Sequence, residues 1–359
     1  VYTFKHALTH EVAYGSLLLE RRRALHARIV KAIEALAPER VAEQVERLAH
    51  HALRGEVWDK TVAYCRQAGD KAMARSAYRE AVGYLEQALR ALPHLPETRH
   101  TREQAVDLRL ALRSALLPAG DLERILVLLR EAEALAEALD DSHRLGQLSN
   151  FLAHHFILIG ACDQAIAAGQ RALALATAGG EAVLRALANR YVGQAYRNQG
   201  DYRRAIDCLG QAVAFFDEAG CYERFGQLFL PAVLSRAMLA LCYAELGMFT
   251  EGIASGEEGR RIAEAVHHPG SLMNIYWWIG LLSLRQGDLA KALPHLERAV
   301  SLSHEADLPG YFPSIAVTLG VAYTLVGRVA DAVPLLTQVG EQVTAMQRVD
   351  FQEFCRLFL

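Results

Sequence analysis

Proline (10 of 359 residues), aromatic residues (8%) and clustered charge are all scarce in this sequence. Lys and Arg number 38 against 41 Asp and Glu, a net charge of -3, with both signs interspersed. No basic stripe of the kind that follows a phosphate backbone is present, which excludes nucleic acid as a principal partner. The one dense cationic run, Arg21-Arg22-Arg23, lies inside the helical pattern LLLERRRALHARIVKAIEAL and reads as a solvated helix face. The longest apolar runs, such as FILIG and ILVLL, are far too short to cross a bilayer, and the opening residues carry no signal-peptide pattern. The six cysteines (Cys65, Cys162, Cys208, Cys221, Cys242, Cys355) lie far apart without a CxxC pair. That spacing predicts reduced core thiols in a cytoplasmic protein.

What is abundant is alanine (59) and leucine (53), together about 31% of a chain that is 52% apolar. Such a chain can bury enough surface to exclude disorder. Both residues are strong helix formers, and β-branched residues are thin outside short clusters, which predicts an all-α protein. At this length an all-α chain makes two domains or one elongated array. The chain opens with Val1 and stops in the amphipathic stretch VDFQEFCRLFL, so a piece of a larger protein is expected.

Internal repetition organises the rest. GQAYRNQGDYRRAIDCLGQAV (193–213), GLLSLRQGDLAKALPHLERAV (280–300) and GVAYTLVGRVADAVPLLTQVG (320–340) align without gaps, and weaker copies start at 153 and 240. Small or apolar anchors recur at Ala81, Ile125, Ala165, Ala205, Gly252, Ala292 and Ala332, most often at a step of 40. Each unit predicts a helix ending at a glycine suited to the left-handed cap (Gly160, Gly200, Gly247, Gly287, Gly327). An Asp that can cap a returning helix often follows, as at Asp201 and Asp288. The small residues Gly193 with Ala205, Gly280 with Ala292 and Gly320 with Ala332 let the two axes approach closely. Pro294 and Pro334 share one offset early in the second helix, where each removes a backbone hydrogen bond. A lone hairpin cannot bury its apolar face, so neighbours must stack into one core.

VGQAYRNQGDYRRAIDCLGQAV resembles a tetratricopeptide repeat at nearly every hallmark position, and the resemblance covers roughly residues 57–345. It implies a right-handed superhelical α-solenoid of antiparallel hairpins, here with about 40 residues per repeat against the usual 34 or so. Longer repeats of this kind resemble the sensor arms of bacterial STAND-type signalling ATPases. Residues near the start (Phe4-Lys5-His6, Glu11, Ala13-Tyr14, Arg22, Leu25-His26) resemble the segment closing the ATPase core in proteins that also carry a class III nucleotide cyclase. The resemblance implies three parts: 1–40 as the end of an ATPase-associated segment, 41–345 as about seven repeats, and 346–359 as the first helix of a further repeat. A phosphate loop GxxxxGK[ST] is absent, and no cyclase carboxylate pair can be placed, so no ATPase or cyclase chemistry is expected of this chain.

Three adjacent histidine pairs (His50-His51, His154-His155, His267-His268) invite a metal reading. Neighbours on a helix diverge by about 100°, however, and neither those pairs nor His6 with His10 and Glu11 completes a ligand set, so no metal and no cofactor are expected. No GxSxG supports a nucleophile, and no enzyme activity is expected. In tetratricopeptide arrays the first helices line the concave face. Carried over position by position, that implies partner contacts at Arg66 and Asp70, then Asn150 and His154, then Arg190, Gln194, Arg197 and Asn198, then Asn274, Trp277 and Leu281, and finally Val317, Val321 and Thr324. Arg190, Gln194 and Arg197 share one helix face and could fork onto carboxylates; a solvated face is the plain alternative. For Trp277 and Trp278 the plain alternative is inter-helix packing. The expected function is non-enzymatic capture of an acidic, partly apolar protein or peptide segment. The alternatives are small-molecule sensing, or docking onto the ATPase or cyclase domains of the parent chain.

Overall fold

The computed structural model describes residues 12, 14–36 and 38–345. The expectations on Phe4-Lys5-His6, His10, Glu11, Ala13, Cys355 and residues 346–359 lie outside the described residues. Among the described residues there are sixteen α-helices, three short 3₁₀ turns and no strand. The all-α solenoid of antiparallel hairpins expected from the repeats is what the chain forms. It divides into two compact units, Val1–Leu116 and Leu117–Leu359.

The first unit holds α1 (Leu19–Leu36), α2 (Val45–Arg54), α3 (Trp58–Ala74), α4 (Tyr78–Ala91) and α5 (Arg99–Leu116). In α2 the residues Val45, Leu48, Ala49 and Ala52 fall at i, i+3, i+4 and i+7 and are all buried, the stripe an amphipathic helix turns to a core. The α3–α4 hairpin closes tightly because position 69 is glycine: a Cβ there would stand 3.0 Å from Leu85 Cγ. Its turn is made by Ser76 at φ 61° rather than by a glycine. Thr98 and Thr101 exchange backbone and side-chain hydrogen bonds at the start of α5. His26 of α1 meets His51 of α2 through their Nδ1 atoms at 2.7 Å.

The second unit holds α6 (Leu122–Ala138), α7 (Ser142–Leu158), α8 (Cys162–Ala178), α9 (Ala182–Asn198), α10 (Tyr202–Ala219), α11 (Pro231–Glu245), α12 (Phe249–Val266), α13 (Pro269–Gln286), α14 (Leu289–Glu305), α15 (Phe312–Leu325) and α16 (Val329–Ala345). From α7 onward the helices pair as hairpins. Every one of the five glycines expected at the hairpin turns has positive φ, between 75° and 82°, a region that penalises any Cβ. Asp201 and Asp288 cap their helices by accepting the backbone N–H of Arg204 and Lys291, and Asp121 and Asp141 do the same for α6 and α7. The close crossings repeat: a Cβ at Gly193 would lie 2.7 Å from Leu209 Cγ, at Gly280 2.7 Å from Leu296 Cγ, and at Gly320 2.6 Å from Leu336 Cγ. Leu209, Leu296 and Leu336 are fully buried in consequence, each stabilising the fold by about 2 kcal/mol. Pro294 and Pro334 each occupy the sixth position of their helix on the exposed side, where water can satisfy the carbonyl that loses its donor.

First helices of successive hairpins touch one another, α7 with α9, α9 with α11 and α11 with α13, whereas the second helices make no comparable contact with each other. The first helices therefore form the inner layer of a curved stack. Curvature brings distant turns together within the unit. The Gly310 N–H, in the turn between α14 and α15, donates to Pro118 O at 2.8 Å. Nine helices separate those two residues in the chain.

Candidate functional site

The middle of the inner layer is built by α7, α9, α11 and α13. Asn150 of α7 is 2% exposed; its Nδ2 donates to Leu184 O at 3.1 Å, and its Oδ1 is enclosed without a partner. His154, one turn on, is half-buried with its ring 5.1 Å from that of Tyr191. Tyr191 is held in turn by its hydroxyl donating to Gln227 Oε1 at 2.8 Å, from the long segment between α10 and α11.

Arg190 is 3% exposed and lies 3.8 Å over the Tyr191 ring. Its Nε has no acceptor, and no carboxylate of the described residues stands within ion-pair distance. Other buried charges of the same unit are paired: Arg236 binds Asp217, and Glu133 binds Arg130 and Arg171. Arg197 reaches past α11 to stack 4.7 Å over the Trp278 ring, and its Nη2 donates to Asn198 Oδ1 at 2.7 Å. Its Nε is likewise enclosed without a partner, although the side chain as a whole keeps some contact with solvent. Burial works against the Arg197 charge, and the surrounding Cys242, Tyr202, Glu245 and Cys162 only partly offset it. Glu245, the acid among these neighbours, is already bound to Arg285 at 2.7 Å. Gln194, half-buried between the two arginines along α9, has an Oε1 without a donor, and the Trp278 Nε1 is an enclosed donor without an acceptor.

Asn150 and His154 lie on α7, and Arg190, Gln194, Arg197 and Asn198 lie on the adjacent first helix α9. The more C-terminal candidates sit differently. Asn274 is 4% exposed and its Nδ2 donates to Gly270 O at 2.9 Å, inside the core. Trp277 is half-buried, with its Nε1 donating to Thr318 Oγ1 at 3.0 Å, while Leu281 packs against the buried cluster of α11–α13 and Val321 is half-buried on α15. Of the tryptophan pair, Trp278 is therefore the one with an uncommitted polar atom. Tyr191 and Trp278, which carry the two guanidinium groups, were not legible as platforms in the sequence. Arg190 beside Tyr191 gives no periodic signal, and Arg197 meets Trp278 across an intervening helix. Among the described residues no three His, Cys, Asp or Glu side chains are placed to hold a metal ion. No helix among them is long and apolar enough to cross a membrane.

Residues 192–215 and 274–304 match the tetratricopeptide repeat family. The two segments are the hairpins in which Gly193 faces Leu209 and Gly280 faces Leu296. The chain carries tetratricopeptide repeats. No curated protein matches it. Among solved structures it is similar to a Rap protein complexed with competence and sporulation factor (14% identity, TM-score 0.65, covering 91% of this chain and 99% of that one). It is also similar to the Rap conjugation gene regulator of plasmid pLS20 in complex with the Phr* peptide (16%, 0.65, 84% and 77%) and to aspartyl phosphate phosphatase F from Bacillus subtilis (15%, 0.60, 86% and 75%). At these identities the likeness is one of fold.

Proposed function

We propose that the second unit is a non-enzymatic binding arm that holds an extended peptide or protein segment against its inner layer of helices. The carrying observation is Arg190, a charge buried at 3% exposure with no counter-charge. Natural folds rarely keep such a group at their own expense, because an unpaired buried ion costs several kcal/mol. Asn150, Gln194, Arg197 and Trp278, on first helices of the same unit, each carry an enclosed unpartnered atom as well, which supports the same reading. Two structural neighbours are described with a bound factor or peptide, and extending that to this chain is part of the proposal. The phosphatase among the neighbours shares the fold only. The small-molecule alternative rested on an apolar wall around Trp277, and the bond from Trp277 to Thr318 makes that wall part of the packing. Signalling by the arm to ATPase or cyclase domains of a parent chain, with residues 1–40 as the junction, is the wider form of the proposal and rests on the resemblance of the opening residues.

The test is selection of a displayed random-peptide library on the whole chain, followed by hydrogen exchange with an enriched peptide. Enrichment with protection concentrated on α7, α9, α11 and α13 is expected. No enrichment, or protection confined to the outer helices α8, α10, α12 and α14, would sink the proposal.

A further inference from the structure

We infer that the ligand of this groove is an acidic peptide that delivers two carboxylates, three residues apart, to Arg190 and Arg197, and a backbone N–H to Gln194 between them. The inference rests on the proposed peptide-binding function and names the chemistry of the partner. Each enclosed Nε is an N–H donor left without an acceptor. A carboxylate is the acceptor whose two oxygens match a guanidinium fork and neutralise it at the same time. Among the described residues none is supplied: Asp217 is bound to Arg236, and Glu245 to Arg285. Held over the Tyr191 and Trp278 rings, both guanidinium groups are restrained before a ligand arrives. Fixed donors lose less freedom on binding.

Gln194 decides between a peptide and a simple anion. Its unpartnered Oε1 accepts but cannot serve an anion. With the Gln194 amide oriented as it stands, the matching ligand offers acceptor, donor, acceptor in that order along α9. A diacid offers two acceptors and no donor. A peptide with acidic side chains offers all three, because an amide N–H lies between them. Asn150 Oδ1 is a second acceptor of the same kind on the neighbouring helix. Seven residues of helix place Arg190 and Arg197 about 10.5 Å apart along the axis. A polyproline-II chain advances about 9.3 Å in three residues and returns to the same face, which sets the acids at i and i+3.

The experiment is fluorescence anisotropy on the whole chain with fluorescein-labelled nonapeptides. One carries Glu at i and i+3 in an Ala/Pro/Leu background, one has both Glu replaced by Gln, and one has the two Glu adjacent. Glutarate and inorganic phosphate serve as unlabelled competitors. The Glu-x-x-Glu peptide is expected to bind at least tenfold more tightly than the other two, with affinity falling as salt rises. Arg190→Met and Arg197→Met should each remove that advantage. Arg197→Lys, which keeps the charge without the fork, should keep only part of it and guards against a folding defect. Equal binding of the Glu and Gln peptides would overturn the inference, as would glutarate or phosphate competing at the concentration of the peptide itself. A library that enriches only non-acidic peptides overturns this inference and leaves the peptide-binding function standing, whereas a library that enriches nothing overturns that function.

Discussion

Replacing Arg190 with methionine should make the protein more stable while removing its recognition of acidic ligands. Methionine keeps the length and apolar stem of the side chain, so no large cavity opens and the contact with Tyr191 remains. What disappears is a buried charge with an unpartnered Nε. An unsatisfied buried donor costs about 1–3 kcal/mol, more when charged, and the cation–π contact returns about 0.5–2 kcal/mol. The balance favours methionine by about 1–3 kcal/mol, in line with the gain seen when buried ions are replaced by apolar residues. For a unit of this size each kcal/mol moves Tm by about 2–4 °C, so a rise of about 2–12 °C is expected in calorimetry. Arg236→Met is the matched control: equally buried, it breaks an existing pair with Asp217, and no rise is expected. A fall in Tm for Arg190→Met would refute the reasoning, since it would mean that the fold itself depends on the Arg190 charge.

The repeat crossings make a sharper packing test. Gly193→Ala and Gly280→Ala, whose Cβ atoms would press on Leu209 and Leu296, should each cost about 1–3 kcal/mol in urea denaturation. Gly210→Ala, with nothing within 4 Å, should add about 0.5–1 kcal/mol. Acid should weaken the fold through histidines held neutral. Burial, followed by the neighbouring His26, His50 and Arg47, lowers His51 to about 4, and burial with Arg224 lowers His268 to about 4. Their folded values lie below the unfolded value of about 6.5, so the unfolded chain takes up protons first. Stability is intact above about pH 6.5 and is lost as pH falls from there to about 4. Tm measured across that window should fall with pH, and His51→Gln should flatten the slope; an unchanged slope would exclude His51 as a cause. Asp288→Ala should destabilise the fold by removing the cap on the Lys291 N–H, read as a lower urea midpoint.

The fold was legible because each repeat feature has a local cause. Glycine tolerates the left-handed turn at 200 and 287, Asp caps at 201 and 288, and the small residues at 193 and 280 admit a leucine from the partner helix; all act within one hairpin. Ser76 marks where that reading loosens, since a residue other than glycine holds the same positive φ there. The site was legible only along a single helix. Arg190, Gln194 and Arg197 share a face by spacing alone, but the absence of a counter-charge is a property of the packed layer. The pairing of Arg197 with Trp278 skips a helix, and Trp277 was singled out although its neighbour holds the free donor. Asn274 has the sequence offset of a groove residue, yet its side chain turns back onto the Gly270 carbonyl.

The Pro118–Gly310 contact bears on how the second unit comes apart. An open array of hairpins couples only to nearest neighbours and can fray from either end, one repeat at a time. Here the turn before α6 is tied to the turn before α15, and a Cβ at Gly310 would meet Pro118 O at 2.8 Å and Gly120 N at 3.1 Å. The stretch from α6 to α14 is thus fastened at both ends, and α6 cannot peel away without breaking a link to the far side. Unfolding should accordingly be more cooperative than in a free-ended solenoid, with α15 and α16 as the segment left outside the ring. Gly310→Ala, by prising the link apart, would return the unit to stepwise unravelling.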